Sequence, residues 1–324
     1  MGFLLGFLKE KMEAFAKGLA MKVAASSMFY PFAHVKVLMQ LGYEPFPLTL
    51  GKKFGVGQDV YFLPNGISYA YKWTFLFTGL DAHICYTLVS GAAEFFYMDR
   101  YHPAYGGPPV NLARSEDELS DVESARRALR STIRSTTARL VATVVARPFA
   151  VIMVRKVAQV VGGENKYTDV FSSVLLVGRE EGPKGLFSGL VPQLISEFLT
   201  ILGINGLIYV AESLLMLSRN ENYDSSEEVL RSTRMMLHWT TPLIVNTVVY
   251  PFNVVSTVMA ITGSGLAASL LPYSPLFGMW QDAWHYLDTK QALNRGARFF
   301  LRQHKGPITV HYDGNIYASN AHFV

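Results

Sequence analysis

Charged and strongly polar side chains set inside apolar stretches are the residues of this 324-residue chain that could do chemistry. Lys36 and Glu197 each lie within a long apolar segment. There an unpaired charge at mid-span costs about 2.5–3.5 kcal/mol on insertion scales, so a charge that is kept points to a wetted or paired setting with a role. Arg139, Arg147 and Arg155 recur every eight residues and drift slowly round one helix. Asn246, Tyr250, Asn253 and Thr257 follow i, i+4, i+7 and i+11, a polar stripe on an apolar helix. Tyr30, Lys36 and Gln40, with Ser26, lie loosely on one side of another segment, and Gln193, Glu197 and Thr200 repeat i, i+4, i+7 on a third. Rows of amides, hydroxyls and a few charges can solvate: they lower the cost of taking polar groups through hydrocarbon. The pattern predicts a hydrophilic groove.

The elements that must carry these side chains are long helices. Half of the chain is apolar and only 17% is charged, fewer charges than a soluble surface of this size needs, and mean hydropathy is positive at +0.20. Five mostly apolar segments are long enough to cross a bilayer: 12–41, 78–98, 124–161, 187–217 and 228–261. Two amphipathic stretches, 167–179 and 275–293, suit helices lying in the membrane interface. Polar links at 101–121 and 219–228 divide the chain into thirds.

Self-similarity sharpens this. Tyr30-Pro31-Phe32, Arg147-Pro148-Phe149 and Tyr250-Pro251-Phe252 stand 117 and 103 residues apart, about a third of the chain each time. Pro31, Pro148 and Pro251 are expected to kink their helices, each freeing the carbonyl four residues earlier (Ser27, Val144 and Thr247). A second element follows the first: Leu76-Phe77-Thr78-Gly79-Leu80 in one third, and the stretch from Glu181-Gly182-Pro183 to Gly189-Leu190-Val191-Pro192 in the next.

These repeats resemble the mitochondrial carrier family, in which a Pro-x-acid-x-x-base motif ends each odd helix and an acid-Gly element leads into the even one. The segments YPFAHVKVLMQLGYEP (30–45), GLVPQL (189–194) and PYSP (272–275) are similar to the carrier-homologue branch. The resemblance implies an all-α membrane protein with a threefold pseudo-repeat bundle, in one transmembrane domain over 1–324. Repeat 1 is 12–99, repeat 2 is 124–217, and a truncated repeat 3 is 228–296, followed by a tail over 297–324. It also implies a multi-pass protein of the mitochondrial outer membrane, a branch linked to apoptosis and lipid metabolism.

Two departures bear on function. The family closes its pore with ion pairs, but here the acidic positions hold Ala33, Ala150 and Asn253 and the basic ones Lys36, Met153 and Ser256, so no pair is complete. Alternating access then lacks a closed state. Beyond Gly296 the residues are too charged and too broken by Gly306-Pro307 for a sixth span. With helices in a ring, a missing sixth opens the bundle sideways between the first and fifth.

The reading that follows is a membrane insertase. Tail-anchored and other helical clients would pass their polar ends along the groove while their apolar helices move into lipid. Lipid scrambling by the same groove is an alternative, as is a scaffold that recruits pro-apoptotic proteins through 101–121; solute transport ranks last. Competing structural readings are that Lys36 snorkels to water, that Glu197 pairs with Arg139 or Arg147, and that the Asn246 to Thr257 stripe packs against a neighbouring helix. Ala138, Ala142 and Ala146, with Ala16, Ala20 and Ala24, are expected to be close-packing faces.

Other classes find no support. A net charge of +4, scattered without a basic run, argues against nucleic acid, and a single cysteine, Cys85, excludes an internal disulfide. The histidines lack metal-ligand spacing, and no nucleotide-binding or catalytic motif occurs, so no metal, cofactor or enzymatic activity is expected. The N-terminal stretch, with Glu10 and Glu13 and no arginine, does not read as a cleaved targeting peptide.

Overall fold

Proline and glycine set where the first helices begin and end. The computed structural model describes residues 2–52, 59–63, 68, 75–106, 121–221, 227–269, 277–300, 302–304 and 308–318. Helix α1 (Gly2–Met28) stops one residue short of α2 (Tyr30–Leu41), and Phe29 between them is non-helical. Pro31 lies in the first turn of α2, where its missing N–H breaks no bond, so it starts a helix here and does not kink one. Gly42 (φ +87°) ends α2 in the left-handed conformation. Pro148 does lie inside a continuous helix, α4 (Asp121–Ala158), as does Pro251 in α8 (Glu227–Ile261), which also contains Pro242.

The remaining helices are α3 (Leu80–Gly106), α5 (Val170–Glu180), α6 (Pro183–Leu186), α7 (Leu190–Glu221) and α9 (Trp280–Thr289). All five expected spans are thus helical, and both amphipathic stretches contain a helix. Among the described residues three stretches are long and apolar enough to cross a membrane: Ala125–Ala158, Pro183–Leu215 and Arg231–Ile261. The helices of the first two expected spans are more polar, α3 carrying Asp81, His83, Ser90 and Glu94. No described residue beyond Thr289 is helical.

The sequence reading did not anticipate strands. β1 (Thr49–Lys52), β2 (Asp59–Leu63) and β3 (Arg302–Gln303) form an antiparallel sheet in that order, with Thr49 opposite Phe62 and Leu63 opposite Arg302. β4 (Ile308–Val310) and β5 (Ile316–Ala318) form a hairpin, and Leu48 N–H donates to the Ile316 carbonyl at 2.7 Å. These strands join the segment after α2 to the tail.

The chain forms two compact units, whose limits do not follow the repeats. Unit 1 comprises Met1–Val89, Ala146–Val191 and Val254–Val324; unit 2 comprises Ser90–Val145 and Pro192–Asn253. The core of unit 1 is built on Leu38, Met39, Val151, Ile152, Val157, Tyr167, Val177, Ile261 and Leu266. α5 buries Val170, Ser173 and Val177 and exposes Phe171 and Leu175 together with Ser172 and Arg179. α1 meets the protein along one stripe only; Ala16, Ala20 and Ala24 are exposed and do not form a packing face. In unit 2, Ala138 and Ala142 are buried as expected, and Gly203 of α7 faces the Val245 side chain of α8, where a β-carbon would come within 3.0 Å of it. Elsewhere in this unit α8 exposes Met235, Met236, Trp239, Leu243, Ile244 and Val248. Only 6% of the most apolar part of the Pro183–Leu215 span is buried, against 44% and 50% for the spans of α4 and α8, so this span is the one most open to lipid or to a partner.

Candidate functional site

Unit 2 collects polar side chains from three apolar helices. Arg139 lies 18 residues into the 38-residue α4, close to its middle. Its Nε donates to Glu197 Oε2 of α7 at 3.1 Å, and its Nη1 stands 3.9 Å from Glu94 Oε2 of α3. One turn before Glu197, Gln193 Nε2 donates to Glu197 Oε1 at 3.3 Å. The i, i+4 spacing of Gln193 and Glu197 is what lets the amide reach the carboxylate that holds the arginine. Three of the predicted residues therefore meet, with Glu94 as a fourth that the sequence reading passed over. Glu94 follows an Ala-Ala pair near the end of the second expected span, and its charge was the available signal.

This cluster is neither fully buried nor fully solvated. The side chains of Arg139, Glu94 and Glu197 are 30%, 39% and 16% exposed. One cation faces two carboxylates, so the pairing leaves excess negative charge. Close by in the fold of unit 2, Ser196 donates to Asn253 Oδ1 at 2.8 Å, and Asn205 Nδ2 donates to Thr132 Oγ1 at 3.2 Å.

Within unit 1 the predicted residues take other roles. Tyr30 is buried and donates to the Thr78 carbonyl at 2.6 Å. Gln40 is buried and accepts from Thr257 at 2.9 Å. Arg147 is buried; its Nε donates to the Ser188 carbonyl at 3.0 Å, and its Nη2 reaches both that carbonyl and that of Ser256. Arg155 is fully buried, forked onto Glu181 through Nη1 and Nη2, with Nε donating to the Ala260 carbonyl at 2.9 Å and Nη1 also to Tyr167 Oη at 3.2 Å. Both arginines thus bond the protein interior rather than an opening. Lys36 is exposed, between buried Val35 and Val37. In unit 2, Asn246 is exposed and Tyr250 buried.

The two substituted gate positions on α8 now serve packing. Asn253 receives Ser196, and Ser256 donates to the Gly189 carbonyl at 2.9 Å. Gly189 has φ +66°, and a β-carbon there would lie 2.5 Å from the Ser256 carbonyl oxygen, so both conformation and space demand glycine.

Outside the spans, Glu44 and Arg302 pair at 2.8 Å with both side chains largely buried. Burial pushes the Glu44 carboxyl above its ordinary value, against the opposing pull of Arg302, His304 and Arg295. Arg295 donates through Nε to the Gln40 carbonyl. These contacts join residues over 250 positions apart, and nothing local in the sequence signals them. Among the described residues no group of three or more His, Cys, Asp or Glu is placed to hold a metal ion. Most of the 101–121 link, residues 107–120, lies outside the described residues; 101–106 complete α3.

Comparison with known proteins is consistent with this architecture. A sequence profile described as "Mitochondrial carrier protein" matches residues 124–209. "Mitochondrial carrier homolog 2" of Homo sapiens is 32% identical over 279 residues, covering 84% of this chain and 89% of that protein. Its namesake in Mus musculus is 31% identical over 293 residues (87% and 92%). "Mitochondrial carrier homolog 1" of Mus musculus is 29% identical over 305 residues (88% and 75%).

Proposed function

Because this chain belongs to the mitochondrial carrier family, in its carrier-homologue branch, we propose that it is an insertase of the outer membrane for tail-anchored and other α-helical clients. It is a mitochondrial multi-pass membrane protein, and it holds none of the three charge pairs with which the family is expected to close a pore. The observation that carries the reading is the Arg139, Glu197 and Glu94 cluster: charges on the helices of three expected spans, Arg139 near the middle of α4, that pair and stay partly exposed. Ionised groups at that depth are tolerated when they face water or one another. Here they do both.

The physical task of an insertase is to lower the barrier for a client's short polar end, whose unsatisfied groups would each cost several kcal/mol in hydrocarbon. Arg139, Gln193 and Glu197 offer replacement hydrogen bonds and charge along unit 2. The client's apolar helix needs no such help and leaves along exposed apolar surface, which α7 and α8 supply in Val210, Leu214, Leu243 and Val248. The process is downhill for the client, so the scheme involves no nucleotide or gate.

Purified protein in liposomes, offered a tail-anchored client held soluble, tests this through protease protection of the client's C-terminal end. Protection that requires the protein and changes when Glu197 is reversed supports the insertase. No protection above empty liposomes, with the protein folded, rejects it. A polar row beside exposed apolar helices would also suit a lipid headgroup with its tails in the bilayer. Loss of asymmetry of a fluorescent lipid in the same liposomes, without client protection, would favour scrambling.

A further inference from the structure

In unit 2, α4 has two faces that carry charge. One bears Arg139 and meets Glu197 and Glu94. The other bears Arg126, Arg127, Arg130 and Arg134, which on a helix of 3.6 residues per turn fall within about 100° of arc, roughly opposite Arg139. Their spacing is helical, so they do not stand out as a basic run. Arg126 and Arg130 are exposed, and Arg127 and Arg134 are half-buried. Among the described residues none of the four side chains is hydrogen-bonded or ion-paired. The acid described on the same arc is Glu123, also exposed.

Neighbouring helices fix the depth of this face. α7 runs antiparallel to α4, with Glu197 on Arg139 and Asn205 on Thr132. It also runs antiparallel to α8, with Ser196 on Asn253 and Gly203 facing Val245. Thr132, Asn205 and Val245 therefore stand within about a turn of one level. There α7 exposes Leu202 and Leu207, and α8 exposes Leu243 and Ile244, all apolar. α4 instead presents Arg130 and Arg134 on either side of Thr132, within the stretch Ala125–Ala158 that is long and apolar enough to cross a membrane. Further along the arc the exposed residues of α4 turn apolar, as Val141, Val144 and Val145.

A guanidinium on an outward face, level with leucines, needs water or an anion. Helical side chains lean toward the N-terminus of their helix, and a long arginine stem can lie on apolar surface while its head reaches a polar layer. The anion that a bilayer offers there is lipid phosphate, whose oxygens accept paired N–H bonds from a guanidinium. From Arg134 to Val145 is about 16 Å, close to half of a hydrocarbon core of about 30 Å, which is the reach of one leaflet's acyl chains. Cationic and apolar parts of the face thus match one molecule, phosphate on the arginines and chains on the valines. Four cations against Glu123 favour a headgroup of net negative charge over a zwitterion, which brings its own cation.

We propose that the outward face of α4 from Arg126 to Val145 is a binding site for an anionic phospholipid, separate from the Arg139 cluster on the other side of the helix. It stands whether or not the protein is an insertase.

The test uses full-length Cys85→Ser protein in phosphatidylcholine bilayers, with a bimane fluorophore on Val141→Cys or, in a second protein, on Val248→Cys, an exposed position of α8. Quenching by phosphatidylserine and by phosphatidylcholine, each doxyl-labelled on an acyl chain, gives the lipid preference at each position. Position 141 should prefer phosphatidylserine by at least about fivefold, the factor expected of one basic residue at an anionic surface. Position 248 should show no such preference. Arg130→Gln with Arg134→Gln should abolish the preference at 141 and leave quenching by phosphatidylcholine unchanged, which reports that α4 is still in place. The corresponding pair of lysine substitutions should keep part of it, and decides the matter if the glutamine pair does not fold. Equal quenching by the two lipids at 141 overturns the proposal and turns the face over to an acidic polypeptide. An equal preference at 141 and 248, or one that survives the glutamine pair, also overturns it, because charge attraction would then not be local to this face.

Discussion

Thr257 on α8 donates its hydroxyl hydrogen to Oε1 of Gln40 on α2 at 2.9 Å, joining residues 217 positions apart. Both are residues for which sequence spacing predicts a place on an open seam between the first and fifth helices. In unit 1 they tie those helices together at this end. A net hydrogen bond of this kind contributes about 1 kcal/mol. Thr257→Val, which keeps the shape and removes the donor, should lower stability by about that amount, read as a drop in thermal midpoint in detergent, while Thr257→Ser should stay close to the parent.

Lys36 and Glu197 should respond differently to charge reversal. Lys36 is exposed, so Lys36→Glu should leave folding intact and change insertion only. Glu197 is bonded to Arg139, so Glu197→Lys should also perturb unit 2. Combining it with Arg139→Glu restores opposite charges at that contact and should recover thermal stability. Unchanged client protection in Lys36→Glu and in the double variant, at matched protein levels, would leave these charges with a structural role alone.

Arg155 and Glu181 form the most deeply buried charged pair described in unit 1, with Arg155 at 0% exposure and one of its two bonds at 2.8 Å. Removing one partner leaves an uncompensated charge, and such losses run to about 3–5 kcal/mol. Glu181→Ala should therefore be the more damaging single change, measured by unfolding in detergent, and Arg155→Met with Glu181→Leu together should recover much of the loss. A mild single-variant effect would mean that Ala260 and Tyr167 alone suffice to hold the guanidinium.

Glu44 gives the fold a pH dependence of defined sign. Its carboxyl is raised by burial, so the folded state favours the protonated form. Its contribution is fully present below the ordinary carboxylate range and is lost as pH rises through the raised value. Thermal midpoints followed from acid to neutral pH should show Glu44→Gln gaining on the parent as pH rises. The reverse trend would show that Arg302 outweighs burial at this site.

Much of the helical frame was legible in the chain. The later apolar stretches became α3, α4, α7 and α8 close to their expected limits, and the first became α1 and α2 together, since helix length in a membrane protein follows from the run of apolar residues between polar links. The break at Phe29 was not, although Pro31 marked the place: the same residue type starts α2 and passes inside α4 and α8, and the difference lies in what packs around each turn. Periodicity found the polar stripes, yet Asn246 came out exposed, Tyr250 buried and Asn253 bonded to Ser196. A helical period of polar residues says which side chains share a face and is silent on what that face meets.

By itself, then, the amino-acid sequence determined the repeated proline motifs and the helices, because both are written in local composition and spacing, and the missing gate pairs follow from setting those motifs beside the carrier pattern they resemble. Only the tertiary structure decided that Arg139 and Glu197 meet while Arg147 and Arg155 are consumed by carbonyls and Glu181, that Phe299 lies against Phe32, and that β3 pairs with β2. Those choices depend on contacts between residues far apart in the chain, and the partner of a buried charge is selected by which neighbour the packing brings within hydrogen-bonding distance.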